Sequence, residues 1–396
     1  MAAYKVKLIK DTFYNEEKTR TELAKFILSS DVEQLSFGKQ CEKFEHSFSQ
    51  YQARKHTVMV NSGSSANLAI IQALLNLGQI KKGDKVAFSA LTWSTNVMPL
   101  IQLGLEPIPI DVERDTLNVS DTKLVEVLEN YNVRVVFLTN LLGFCDDIDM
   151  IEQLCEDHNI ILLEDNCESL WSVYNGRLLG NFSLASTFSF YVGHHLSTIE
   201  GGAICTDDDD LANMLRIVRT HGWDRNLSVD AQEEIRLAHH VNSNFYSRYT
   251  FYYPGYNFRP TEIQGFIGNK QLLYFSSIVR SRVNQWKYFK ERIDEDPRFY
   301  SISTDHMDVP CAFAIPIVCK SQEIRDSIVR RCEKEIEIRP IVGGDMTQQP
   351  FFAKQNKYGR CLNAQMIHNQ GLYFGNYPDM TKQEKEIICE VFEWTP

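Results

Sequence analysis

The chain has no long hydrophobic run. None of its 396 residues lie in a stretch long enough to span a bilayer, and the opening segment MAAYKVKLIKDTFYNEEKTR holds no apolar leader core. Membrane insertion and export are therefore not expected, and a soluble cytoplasmic protein is. Positive charge is in deficit: 41 Lys and Arg stand against 52 Asp and Glu, a net charge of −11. Neutralising a phosphate backbone needs clustered cations, so nucleic acid is not an expected partner. The 10 cysteines contain no C-x-x-C spacing, which disfavours zinc-binding and dithiol redox motifs and reads as reduced, mostly buried thiols. Internal repeats and low-complexity tracts are also missing. With 43% hydrophobic and 23% charged residues, the composition is that of a globular protein large enough for two domains.

What the chain does have is alternation. Apolar strand patterns at 56–61, 85–90, 106–112, 133–140 and 160–165 are separated by helical patterns at 64–78, 96–104, 120–131 and 147–159. Ser120 or Asp121 is placed to cap the third helix. Apolar strands separated by helices predict an α/β fold with a mainly parallel sheet covered on both faces. After about 186 the texture changes. STFSFYV and GAICTDD read as strands joined by a turn around Gly193, and 209–222 is helical, its DDDD start a solvated helix beginning. Residues 226–250 read as a polar and aromatic surface excursion. From about 262 helices dominate, followed by strands at 311–319 and 336–342. We expect a large domain over 1–269, including the N-terminal segment, and a smaller α+β domain over 270–396.

Five segments can carry chemistry. In NSGSSANL (61–68), a strand gives way to a helix whose first amides, with Gly63 and the Ser64 and Ser65 hydroxyls, favour an anion. Taken alone it reads as a capped Ser-rich turn, and it is no P-loop, since no G-K-[ST] follows. In LLEDNCES (162–169), Glu164, Asp165 and Glu168 end an apolar strand, where open α/β sheets bind ligands. A carboxylate there can meet a metal or a protonated ring nitrogen, or simply cap a helix. SFYVGHHLSTIEGG (189–202) places His194 and His195 before a Glu-Gly-Gly turn, with too few neighbouring ligands for a metal site. The second pair, His239 and His240, reads as incidental. HGWDRN (221–226) and YPGYNFRPTE (253–262) read, each alone, as loops.

In order, and together with FGKQCEKFEHSF (37–48), TWST (92–95) and IRPIV (338–342), these segments resemble the sugar aminotransferase family, pyridoxal-phosphate (PLP) proteins of the aspartate aminotransferase fold. The resemblance covers nearly the whole chain. It implies a phosphate cradle at Gly63, Ser64, Ser65 and Ser189, and a ring stack at Trp93. It also implies a carboxylate at Asp165 for the pyridinium nitrogen. Asn257 matches a residue that reaches the partner subunit's cofactor phosphate, which implies a homodimer with shared sites. Arg225, Arg259 and Arg339 stand in matched loops. Each suits a donor carboxylate or a substrate diphosphate, with surface salt bridges as the alternative. His221 is placed at the substrate by its motif.

One departure matters most. The family has a Lys after S-F-x-x-x, and that Lys forms the covalent Schiff base with PLP. Here there is no Lys from 182 to 202. Five residues on from Ser189, and six back from Glu200, is His194; anchoring on H-x-[AS]-T-x-E-G-G selects His195 instead. We favour His194 as the base. Imidazole forms no stable Schiff base but moves protons near neutral pH, so PLP or pyridoxamine phosphate (PMP) is expected to be held noncovalently.

The histidine, the E-D-N-C-E-S pattern with Glu168 near the ring's phenolic oxygen, H-G-W-x-R-N and P-G-Y-N-x-R-P together resemble the nucleotide-sugar 3-dehydratases. The resemblance implies removal of the C3 hydroxyl from a 4-keto-6-deoxy sugar and favours GDP as its carrier. It further implies that glutamate regenerates PMP, in 3,6-dideoxy sugar supply for a surface polysaccharide. A second such sub-group holds an iron–sulfur cluster through C-x-C and two further cysteines. Cys311 and Cys319 stand eight apart with Val309 where a cysteine would be needed, so no cluster and no metal are expected. The alternatives are a nucleotide-sugar 4-keto aminotransferase using another lysine, such as Lys55 or Lys270, and a non-catalytic regulator on the same fold.

Overall fold

The structure of the protein, a computed structural model, describes residues 4–30 and 32–395. Its centre is a sheet of seven strands: β1 (His56–Val60), β2 (Lys85–Ser89), β3 (Glu106–Ile110), β4 (Val135–Thr139), β5 (Ile161–Asp165), β8 (Ala185–Ser189) and β9 (Gly202–Thr206). A short hairpin, β6 (Val173–Tyr174) and β7 (Arg177–Leu178), lies between β5 and β8. The spatial order is β1-β9-β8-β5-β4-β2-β3. Strands β3, β2, β4, β5 and β8 run parallel, and β9 is antiparallel to both of its neighbours.

Alternation of side chains along each strand builds a core on each face of this sheet. Val135 and Phe137 of β4 pack with Val86 and Phe88 under the helix Gly63–Asn76. Val136 and Leu138 face the other way, toward Ile108 and Leu162. All five residues of β4 are buried, as parallel strands covered on both faces should be. Ser120 does cap its helix, now seen as Asp121–Leu128, by accepting the Lys123 amide.

The second core merges into a three-stranded antiparallel sheet, β10 (Ala314–Val318), β12 (Gly371–Gly375) and β11 (Ile338–Pro340), backed by the 21-residue helix Phe275–Glu295. The N-terminal segment, grouped with the large domain from sequence, packs against this small sheet. Val6 bridges Ile336, the Leu8 amide donates to Glu337, and Lys10 pairs with Glu384 at 3.3 Å. The surface excursion contains a helix, Val229–Ala238, capped by Ser228. None of its residues is buried, which is why no apolar stripe announced it.

No helix among the described residues is long and apolar enough to cross a membrane.

Candidate active site

The parallel strands end together along one edge of the large sheet, the place where open α/β sheets bind ligands. Thr139 closes β4, Asp165 closes β5 and Ser189 closes β8. Thr92, just past β2, sits 2.6 Å from the Thr139 hydroxyl. Over this edge lies a cavity of about 420 Å³ between the large sheet, the small sheet and the N-terminal segment.

One wall is the start of the Gly63–Asn76 helix. Ser62 is its N-cap and accepts the Ser65 amide at 3.0 Å. The amides that remain free at such a terminus point outward and favour an anion. Gly63 has no room for a side chain: a Cβ would lie 2.7 Å from the Ser189 Cβ and 2.9 Å from the Cys167 sulfur. Only glycine brings the helix start this close to the end of β8. Ser64 and Ser189 add hydroxyls to the same wall, while Ser65 turns its hydroxyl to Ser62 at 2.9 Å and does not line the cavity.

The floor is Asp165, which is 4% exposed. One of its oxygens accepts from Asn67 at 2.8 Å and Asn96 at 2.9 Å, and the other from the Cys167 amide at 2.9 Å. Thr187 in turn orients Asn67 through its amide oxygen at 2.7 Å. Three donors fix this carboxylate in one orientation at the cavity. Glu168, one turn on, accepts the Leu142 amide at 3.0 Å. Burial pushes its carboxyl up to about 8, against the lowering effect of that amide, so near neutral pH it is largely an acid able to donate. The Trp93 ring, 51% exposed, forms another side of the cavity.

Both histidines line the cavity, in different ways. His194 Nδ1 lies 2.6 Å from the Cys167 carbonyl oxygen. A carbonyl only accepts, so Nδ1 carries the proton and the Nε2 lone pair is left for chemistry. Burial, with the nearby Arg282 cation, lowers the His194 ring to about 4. His195 is deeper, 3% exposed, and spends Nε2 on the Cys311 carbonyl at 2.7 Å, while its Nδ1 has no protein partner. Burial, followed by Arg282, also holds this ring well below its ordinary value. Each ring spends one nitrogen on a carbonyl and keeps the other without a protein partner among the described residues, Nε2 in His194 and Nδ1 in His195, and the His195 nitrogen is buried from solvent.

Other sequence candidates lie elsewhere on the chain. His221 packs on Trp223, and Arg225 lies over Trp223 at 4.0 Å and Tyr249 at 4.8 Å. Arg259 donates to Asn257 at 3.0 Å, and Arg339 pairs with Glu337 at 2.6 Å. None of these five lines the cavity of its own chain. The loop carrying Asn257 is nevertheless tied to the back of the cradle, where the Phe258 carbonyl accepts the Asn61 amide at 2.9 Å.

The chain has no lysine from 124 to 269. Lys10 lines the cavity and is engaged by Glu384 and by the Asp379 carbonyl. Lys55 pairs with Asp209 and Lys270 with Glu22, both outside the cavity. Cys311 and Cys319 are buried and free, and among the described residues no cluster of three His, Cys, Asp or Glu side chains is placed to hold a metal.

Sequence reasoning missed several lining residues: the segment Leu8–Tyr14, Arg282, Phe313 and Tyr373. Their positions depend on how the small domain folds back, and no local motif marks them.

The site's contents match a flat, phosphate-bearing pyridine. The Gly63 cradle leaves no room for a Cβ, and three donors fix the Asp165 carboxylate at the cavity floor. Comparison with known proteins points the same way. The sequence profile of the DegT/DnrJ/EryC1/StrS aminotransferase family matches residues 15–393. The GDP-4-keto-6-deoxy-D-mannose 3-dehydratase of Yersinia pseudotuberculosis is 34% identical over 369 residues, 90% of this chain and 92% of that one. Its counterpart from E. coli, solved with bound hydrated PLP, superposes with a TM-score of 0.86 at 29% identity over 99% of this chain and 100% of that one. A GDP-4-keto-6-deoxymannose-3-dehydratase with a trapped PLP-glutamate geminal diamine gives 0.84 at 29% identity, over 98% of this chain and 100% of that one.

Proposed function

The chain belongs to the DegT/DnrJ/EryC1/StrS aminotransferase family, and within it we propose that this enzyme is a PLP/PMP-dependent 3-dehydratase that removes the C3 hydroxyl of a GDP-linked 4-keto-6-deoxy sugar, with glutamate as amino donor. One observation carries this reading: His194 presents an unprotonated Nε2 into a cavity whose lining lysine is committed elsewhere.

Bound here, pyridoxamine phosphate supplies an amine for the sugar's C4 ketone and a ring that accepts electrons. The amides of the Gly63 helix and the Ser64 and Ser189 hydroxyls hold its phosphate, and Trp93 covers its ring. Asp165 accepts a hydrogen bond from the ring N–H and stabilises the protonated ring. Glu168 donates toward the phenolic oxygen. His194 takes up a proton at Nε2, and the Cys167 carbonyl keeps the ring aligned for it. Among the described residues the one lysine that lines the cavity, Lys10, is paired with Glu384 and the Asp379 carbonyl, which fits a cofactor held noncovalently.

His221, Arg225, Asn257 and Arg259 share an outward face with Tyr249 and Phe251, which are 71% and 57% exposed. We place this face against a second copy of the chain, so that each subunit completes its partner's site in a homodimer. Arg339 is assigned to substrate on sequence pattern alone. The 3,6-dideoxy sugar product suits surface-polysaccharide synthesis, and the cytoplasm is the matching compartment.

The test is direct. The purified protein is incubated with PLP and glutamate and its absorption followed, then given a GDP-4-keto-6-deoxy sugar. The expected results are PMP formation, ammonia release and a product lighter by one oxygen. A stable amino-sugar product would instead establish an aminotransferase. PMP formation without turnover of this sugar would reject the substrate assignment.

A further inference from the structure

Arg282, in the long helix Phe275–Glu295, is 3% exposed and has no carboxylate within ion-pair distance among the described residues. An unpaired buried cation is costly unless main-chain oxygens compensate it. Here they do. One guanidinium nitrogen donates to the Phe313 carbonyl at 2.8 Å and the Asn376 carbonyl at 2.5 Å, with Ala312 at 3.5 Å. The other donates to the Gly193 carbonyl at 3.4 Å and the His194 carbonyl at 3.2 Å. Thus one side chain ties the turn bearing both histidines to the start of the small sheet. The fork geometry of arginine makes this possible where a lysine ammonium, a point charge, would not.

We propose that Arg282 is a positioning residue: its guanidinium clamps the Gly193–His194 turn to residues 312–313 and 376, and sets behind both imidazoles a positive charge that no carboxylate pairs. The proposal rests on the reading of His194 as the base. The clamp holds the Nε2 atom of His194 in one place, and the charge disfavours a second positive charge on either ring. Burial leaves the guanidinium itself lowered only to about 10, so it stays charged across the working range. Other ionisable groups share the cavity with His194. Asp165, Cys167 and Glu168 come from the end of β5, and Tyr191 and His195 from its own turn. Tyr373 comes from β12, and Lys10 and Asp11 from the N-terminal segment. Asp165 raises His194 and so works against Arg282, while Arg282 and burial prevail.

Two substitutions in the full-length protein separate charge from clamp. Arg282→Gln removes the charge and keeps hydrogen-bond donors. Arg282→Lys keeps the charge and removes the fork. Labelled histidine resonances, assigned with His194→Gln, are titrated by NMR without substrate, and the acid limb of kcat is measured alongside. In R282Q we expect the His194 titration and the acid limb to move up together by about one pH unit. In R282K we expect the titration to stay while kcat falls about tenfold or more and KM changes less than about threefold. Unmoved titration in R282Q, or losses of kcat that simply track Tm in both variants, overturns the proposal. The NMR titration needs no turnover, so it reads the same whether or not the substrate has been assigned correctly.

Discussion

His194 Nδ1 and the Cys167 carbonyl oxygen stand 2.6 Å apart, and that contact decides which nitrogen of the ring can work. The carbonyl belongs to the turn that follows Asp165 and whose Cys167 amide also donates to that carboxylate, so one short loop positions both Asp165 and His194. His194→Asn is expected to lower kcat by about a hundredfold or more, the usual worth of a general base, with little change in PLP affinity. His194→Lys is expected to create a borohydride-reducible PLP adduct that the parent protein lacks. Steady-state kinetics check the first statement and mass spectrometry of the reduced protein the second; adduct formation by the parent would show that another lysine serves.

His195 should behave differently. Its Nε2 supports the Cys311 carbonyl deep in the protein. His195→Ala leaves that buried carbonyl without this partner, at a cost of about 1–3 kcal/mol. Chemical denaturation should therefore register a larger stability loss for this change than for His194→Asn.

Gly63→Ala tests the cradle. The added methyl would meet the Ser189 Cβ at 2.7 Å and the Cys167 sulfur at 2.9 Å. The helix start must withdraw from β8, an overpacking cost of about 1–3 kcal/mol. Fluorescence titration should show PLP binding weakened by roughly tenfold or more. Unchanged binding would mean that the phosphate sits elsewhere.

Glu168 sets a pH dependence with a definite sign. Its carboxyl is raised from the ordinary 4.5 to about 8 in the folded protein, mainly by burial. The native state therefore holds this proton more tightly than the unfolded chain does. The stabilisation is complete below about 4.5 and is lost as pH rises through about 8. Glu168→Gln keeps the shape and a donor but has no proton to lose. Relative to the parent, this variant should gain stability between those limits, by on the order of a few kcal/mol at pH 9. Parallel stability curves for the two proteins would show that Glu168 is ionised in the native state.

Much of this could be read from sequence because the strands announce themselves. VVFLT and ILLED are apolar runs that only a sheet covered on both faces accommodates, and a cavity-facing carboxylate at the end of the second follows from that topology. Gly63 and the histidine pair were legible because their motifs are local. Arg282 was not, since nothing in the periodicity of a long helix reveals which buried position will meet a distant turn. The Val229–Ala238 helix escaped notice because none of its residues is fully buried and only Ala231 and Ile235 pack partly against the core, too few to leave a pattern. The Leu8–Tyr14 wall was missed because its partners are remote in the chain, as with Leu8 and Glu337, 329 residues apart.

That last contact has a consequence for biogenesis. Val6, Leu8 and Lys10 leave the ribosome long before Ile336, Glu337 and Glu384, the residues they respectively bridge, donate to and pair with. Long-range closures of this kind form late, after the loop between them has been gathered in. The parallel sheet can assemble while synthesis continues, but the cavity acquires its N-terminal wall only once the small sheet and the helix bearing Glu384 have emerged. A nascent or prematurely terminated chain would thus present an open, apolar-walled cleft, and completion of the small domain is the event that encloses the site.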